Sequence, residues 1–400
     1  MLIFGNMMHK IIFSRFPAVF LLIFFSACQA QPQQIQSSNS LRLGAERMEY
    51  YLPILQGKKV GLVVNHTSSI KQTHLLDTLL SRGVEVVKIF SPEHGFRGTA
   101  DAGEKVDDSK DAKTGLPIIS LYGNNRKPTA DQLSGIDVMI FDIQDVGVRF
   151  YTYISTLHYV MEACAAQNIS VMVFDRPNPN GSYVDGPIMQ AEHYSFVGMH
   201  PIPIVHGLTV AELANMINEE GWLKDKLKCK LQLVLMENWQ HADRYDLPVW
   251  PSPNLNSNHA VALYPSICLF EGTVISVGRG TQIPFQVIGH PDLKNMPFSF
   301  TPVSIEGMSK NPPHENKVCY GIDLSKQPTS YAFQLRYLLD IYKQFENKDA
   351  FFNNYFEKLA GSSDLRKQIK EGWDEARIRA SWHAELDQYK SLRNKYLLYP

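Results

Sequence analysis

The run VMIFDIQDVGVRFY at residues 138–151 constrains the fold of this chain more than any other segment. Four apolar residues are followed at once by Asp142, Gln144, Asp145, Arg149 and Tyr151. A strand buried in a parallel sheet has this form, with its polar groups delivered at the carboxyl end. Three more runs repeat it: VGLVVNH at 60–66, VVKIFSPEHG at 86–95 and VMVFDRPNPNG at 171–181. Strands ending in Asn65-His66, Glu93-His94, Asp142 to Asp145 and Asp175-Arg176 predict one polar site along one edge of one sheet. Helical periods separate them. Leu75, Leu76, Leu79 and Leu80 share a stripe of His74–Arg82 that Gly83 ends, and Ile154, Leu157, Val160, Met161 and Cys164 share one between 154 and 168. The alternation predicts an α/β fold built on a doubly wound parallel sheet.

The chain has its own punctuation. His9, Lys10 and Arg15 precede an apolar run from Phe16 to Phe25, which meets Ser26-Ala27-Cys28. The run is shorter than the ~20 residues that span a bilayer, so residues 1–27 read as a secretory signal. The tetrapeptide ending in Cys28 resembles a bacterial lipobox, with Phe25 where leucine is usual, and predicts lipidation at Cys28. Residues 28–42 lack apolar periodicity and read as a flexible tether. The expected location is outside the cytoplasm, as a periplasmic or cell-surface lipoprotein whose only membrane contact is its lipid anchor.

What remains is long enough for about two domains, read as 43–205 and 206–400. With 39 basic and 40 acidic residues the charge is balanced, which argues against nucleic acid as a partner. Cys164, Cys229, Cys268 and Cys319 are spaced neither as a metal knuckle nor as a disulfide framework, and read as buried thiols. The segment Arg97 to Gly115 is polar and reads as a surface loop beside the site. In HGLTVAELANMINEEGWL, Thr209 and Glu212 form a capping-box pattern, after which LQLVLME reads as a strand. WPSPNLNSNHAVALYPS reads as loop, and the last seventy residues as largely helical with core aromatics.

Several chemistries lack their motif. The turn after the first strand reads NHTSSIKQT and not G-x-G-x-x-G, so a dinucleotide site is disfavoured. There is no G-x-S-x-G elbow and no H-E-x-x-H pair, and His66, His94 and His206 are far apart in sequence. Carboxylates remain, and glycoside hydrolysis uses two: one protonated to donate to the leaving oxygen, one ionised as base or nucleophile. Glu93, in a loop at a strand end, suits the acid, and Asp142 or Asp145 the partner, although either aspartate could instead hold loop amides or Arg149. Arg149, Arg176 and Arg279 lie in glycine- or proline-flanked turns, where a guanidinium could grip a substrate carboxylate or form an internal ion pair. Asn178 and Asn254 sit in turns with proline, where asparagine can bind or simply make the turn.

Taken in order, SPEHG, FDIQDVGVRFYTY, FDRPNPNG, VHGLT, PSPN and LFEGTVISVGRGT resemble the bacterial exo-β-N-acetylmuramidases, a glycoside hydrolase family formerly a domain of unknown function. The resemblance runs from about Leu43 to the C-terminus. It implies a Rossmann-like domain packed on a second α/β domain with a helical C-terminus, and a site in the cleft between them. It also implies release of N-acetylmuramic acid from the non-reducing end of peptidoglycan fragments, with no cofactor and no metal. Position by position it carries over Glu93, Asp142, Asp145, Arg149 and the glutamate of L-F-E-G-T, Glu271. Asn65, His94, Tyr151, Asp175, Arg176, Asn178, His206, Asn254 and Arg279 complete the expected substrate-binding set. The alternative is a non-catalytic surface lipoprotein that binds glycans in the same cleft.

Overall fold

The computed structural model describes residues 40–93, 95–96 and 109–400. Cys28 and His94 lie outside them. Seven strands form one sheet in the order Ser109–Lys110, Pro117–Ser120, Glu85–Ser91, Lys59–Val64, Val138–Asp142, Ser170–Phe174, Leu231–Val234. Every neighbouring pair is parallel except the edge pair Ser109–Lys110 with Pro117–Ser120. The four expected strands therefore lie side by side, with their carboxyl ends on one edge.

These strands are apolar throughout because alternate residues enter two cores. Met139, Phe141, Val171 and Val173 pack into one, and Val138, Ile140, Met172 and Phe174 into the other. Helix Tyr153–Ala166 closes the first through Ile154, Leu157, Val160, Met161 and Cys164, while Leu75–Ser81 closes the second through Leu75, Leu76 and Leu79. Burying one aliphatic side chain is worth ~1.5–3 kcal/mol, so a run buried on both faces draws on every residue rather than every second one. The fold is the doubly wound α/β arrangement.

The sheet continues past residue 205. Thr209 caps Val210–Glu219 by accepting from Glu212 N at 3.3 Å, while Glu212 Oε2 accepts from Thr209 N at 2.8 Å. The chain then returns as Leu231–Val234, alongside Ser170–Phe174. A three-stranded antiparallel sheet follows, in the order Val287–His290, Cys319–Asp323, Phe298–Phe300. Helices Arg336–Gln344, Phe356–Ala360, Asp364–Lys370 and Glu375–Arg393 end the chain, and Tyr337, Phe356, Trp382 and Tyr389 enter the larger core. All four described cysteines are buried and free. No helix among the described residues is long and apolar enough to cross a membrane.

Two stretches differ from their expected loops. Of Arg97 to Gly115, residues 97–108 lie outside the described set, and Ser109–Lys110 is an edge strand. Within WPSPNLNSNHAVALYPS a helix runs Asn258–Ile267, capped by Ser257 Oγ, which accepts from Ala260 N at 3.0 Å. Pro265 has no N–H to give the Val261 carbonyl one turn back. Asn180 Nδ2 donates to that carbonyl instead, at 3.2 Å, from 81 residues away. A local reading of the proline has no access to that partner.

Candidate active site

A cleft of about 340 Å³ opens beside the carboxyl ends of Glu85–Ser91 and Pro117–Ser120. Glu93 stands two residues beyond Ser91, and Tyr122 two residues beyond Ser120. The loop after Val138–Asp142 brings Tyr151, Thr152 and Tyr153, and the later half of the chain brings Asn254, Glu271, Arg279 and Tyr355.

Glu93 is half-buried, and its Oε2 accepts from Thr152 Oγ1 at 3.5 Å. The Tyr122 hydroxyl also bonds it; burial, then the charge of Glu93, pushes this phenol up, so it stays a neutral donor. Behind them Tyr151 and Tyr153 both donate to the Pro251 carbonyl, at 2.9 and 3.1 Å, and their rings meet edge to face at 4.9 Å. Asn65 is not at the substrate surface: it is fully buried, and its Nδ2 donates to the Tyr153 hydroxyl at 3.0 Å. It supports the wall from behind.

Glu271 lies in the 3₁₀ turn Cys268–Gly272, and its Oε1 accepts from Arg279 Nε at 2.6 Å. The glycines on either side of Arg279 have φ of +79° and +81°, left-handed conformations that form its turn. Asn254 Nδ2 donates to the Met308 carbonyl at 2.7 Å, while its Oδ1 is buried with no partner among the described residues. An unsatisfied carbonyl oxygen in a cleft wall is an acceptor for a ligand hydroxyl or amide N–H.

The aspartates expected as second catalytic group do not line the cleft. Asp142 is fully buried and held by Arg176, whose Nε and Nη2 donate to its two oxygens at 2.5 and 2.8 Å. That pair also removes Arg176 from the substrate-binding set. Asp145 is buried, with Oδ2 accepting from Gly147 N at 2.6 Å, and burial pushes its carboxyl up to about 7. Gly147 itself has φ +75°, and a Cβ there would fall 2.0 Å from Asn178 Oδ1. Arg149 is fully buried and donates to the carbonyls of Pro187, Ile202, Leu359 and Ala360 at 2.7 to 2.9 Å. It staples distant segments together; burial lowers its guanidinium to about 9.

The remaining expected binders are also scaffold. Asp175 accepts from Thr209 Oγ1, Tyr399 OH and Ala211 N at 2.8, 2.6 and 3.0 Å, at the start of helix Val210–Glu219. Asn178 Nδ2 donates to the Leu208 carbonyl at 2.8 Å. His206 is buried, with its pKa lowered to about 3 by burial, so it is neutral. The motif D-x-Q-D-x-G-x-R is thus a buried loop whose polar groups are held mainly by partners elsewhere in the chain, with Asp145 Oδ1 and Arg149 Nε left without a partner among the described residues. Expected residues that do line the cleft are Glu93, Tyr151, Asn254, Glu271 and Arg279; those missed include Tyr122, Arg126, Thr152, Ser195, Tyr355 and Lys358. PIISLYGNNR has the same apolar-then-polar form as the four strand runs above, and that form is the sequence signal for Tyr122 and Arg126.

Among the described residues no cluster of three or more His, Cys, Asp or Glu could hold a metal ion. Two family models match the chain: exo-β-N-acetylmuramidase NamZ, N-terminal, over residues 60–259, and its C-terminal counterpart over 262–399. The peptidoglycan β-N-acetylmuramidase NamZ of Bacillus subtilis is 36% identical over 420 aligned positions, covering 98% of this chain and 100% of that protein. Crystal structures of two DUF1343 family proteins from Bacteroides fragilis share the fold. One is 45% identical with a TM-score of 0.84 and the other 28% identical with a TM-score of 0.76, each covering 90% of this chain and 99% of its own. The first family model spans Glu93 and the second spans Glu271 and Arg279, so the match includes both walls of the cleft, and the chain belongs to the exo-β-N-acetylmuramidase NamZ family.

Proposed function

We propose that this protein is an exo-acting glycoside hydrolase that releases N-acetylmuramic acid from the non-reducing end of peptidoglycan fragments, in the turnover or recycling of cell wall. The observation that carries this reading is Glu93: a carboxyl at a strand end, lining a small cleft and held by Thr152 and Tyr122. Glu93 protonates the departing glycosidic oxygen, as the acid of a glycosidase does. Glu271, fixed by Arg279, is the other carboxylate of the cleft among the described residues. Asn254 Oδ1 accepts from a sugar hydroxyl or the acetamido N–H. A volume at the low end of the ~300–1,000 Å³ typical of ligand sites suits one terminal sugar better than the middle of a glycan strand. The protein is expected to release the chromophore from a chromogenic N-acetyl-β-muramide, and to act more slowly on the matching glucosaminide. Binding of both sugars without turnover would make it a glycan-binding protein instead.

Export and anchoring are read from the sequence. Residues 1–27 serve as the signal and Cys28 carries the lipid, so the enzyme works from the membrane surface. Cys28→Ala is expected to move the protein from the membrane to the soluble fraction with muramide turnover unchanged. Membrane partition that stays the same would rule out Cys28 as the anchor point.

A further inference from the structure

We infer that Arg126, with Lys358 beside it, reads the lactyl carboxylate of the substrate and so sets the preference for muramic acid over glucosamine. The inference rests on the muramidase reading above. Three cations and two carboxylates of the described residues line the cleft: Arg126, Arg279, Lys358, Glu93 and Glu271. Arg279 is neutralised by Glu271 at 2.6 Å. Arg126 and Lys358 are exposed, and neither has a carboxylate partner among the described residues. With Glu93 carrying the proton that its role as acid requires, neither cation has a compensating carboxylate in the cleft among the described residues. Muramic acid differs from glucosamine in one respect, a lactyl ether whose carboxylate supplies the missing charge.

The geometry favours a directed contact over a diffuse one. The Arg126 guanidinium lies 4.5 Å from the centroid of the Phe196 ring. That ring stacks on Tyr159 at 6.1 Å, and the Phe196 carbonyl accepts from Ser155 Oγ at 2.7 Å, so helix Tyr153–Ala166 fixes the platform. Stacking occupies the face of the guanidinium and leaves its N–H edge open for a carboxylate. Lys358 flanks the same turn: a Cβ on Gly198 would sit 3.7 Å from the Lys358 carbonyl oxygen, and Ser195 pairs with Gly198. Ser195 also lines the cleft, and its Oγ is buried without a hydrogen-bond partner among the described residues. Arg126, Lys358 and Ser195 line one cleft, and the two cations have no carboxylate partner among the described residues, which makes this wall a carboxylate receptor. It belongs to the same cleft as the acid, since Arg126, Tyr122 and Glu93 all line it and the Tyr122 phenol bonds Glu93.

The test is calorimetric binding of N-acetylmuramic acid, its lactyl methyl ester and N-acetylglucosamine to the full-length protein and to Arg126→Met. The wild type is expected to prefer the free acid to both neutral sugars. Arg126→Met should lose about tenfold to hundredfold in affinity for the acid, the span of one charge-assisted hydrogen bond, and leave the neutral sugars unchanged. Arg126→Lys should recover part of the loss by restoring charge without the fork, and Lys358→Met should show a smaller loss. A wild type that binds acid and ester equally, or an Arg126→Met that weakens all three sugars alike, overturns the inference. Chromogenic muramide turnover is measured in parallel. No turnover with an intact preference for the acid sinks the hydrolase reading alone; turnover without that preference sinks carboxylate recognition alone.

Discussion

Glu93→Gln is expected to lower muramide turnover by about 10²- to 10⁴-fold, the usual contribution of a positioned general acid. The amide keeps the shape of the side chain and can still accept from Thr152 Oγ1 and Tyr122, which bond Glu93 among the described residues. It has no proton to give the leaving oxygen. Because Glu93 is half-buried in a loop and belongs to neither core, the substitution should leave the thermal unfolding midpoint close to that of the wild type. Turnover and melting measured on one preparation separate chemistry from folding. A variant with more than about a tenth of the wild-type rate would remove Glu93 from the acid's role.

The opposite pattern is expected of Arg176→Met. Asp142 is fully buried and Arg176 is 3% exposed, so the substitution leaves a carboxylate in the interior with its bidentate partner gone. Breaking a buried pair from one side costs about 3–5 kcal/mol, because the remaining charge was desolvated on the expectation of that partner. Urea unfolding should show a loss of this size. Replacing both residues, Asp142→Leu with Arg176→Met, should cost less than the single change, since no lone charge stays behind. An Arg176→Met protein of wild-type stability that fails only on muramides would return Arg176 to substrate recognition.

Glu93 and Asp142 look equivalent along the chain, each a carboxylate just past an apolar strand. Their strands are separated by one other, Lys59–Val64, which places them about 10 Å apart across the sheet edge. Asp142 meets Arg176, delivered by the next strand from 34 residues away, whereas Glu93 meets the cleft. Arg149 shows the same limit. Its turn suggested a ligand, yet its four acceptors are carbonyls up to 211 residues distant. Lys358, from the helix Phe356–Ala360, reaches the cleft although nothing around it in sequence marks it as a binder.

The sheet, its flanking helices and the capping box at Thr209 were legible because each is encoded by residues within one or two turns of one another. Period-two burial on both faces makes a continuous apolar run, and a cap satisfies an amide three positions away. The edge of the sheet that carries the polar groups was legible for the same reason, and so was Glu93 as a residue standing there. Which of those polar groups face solvent was decided by tertiary structure alone. A buried carboxylate or guanidinium must find its partner wherever the fold brings one, and the groups that the fold sets in the cleft wall, among them Glu93, Asn254, Arg126 and Lys358, are the ones placed to meet a ligand.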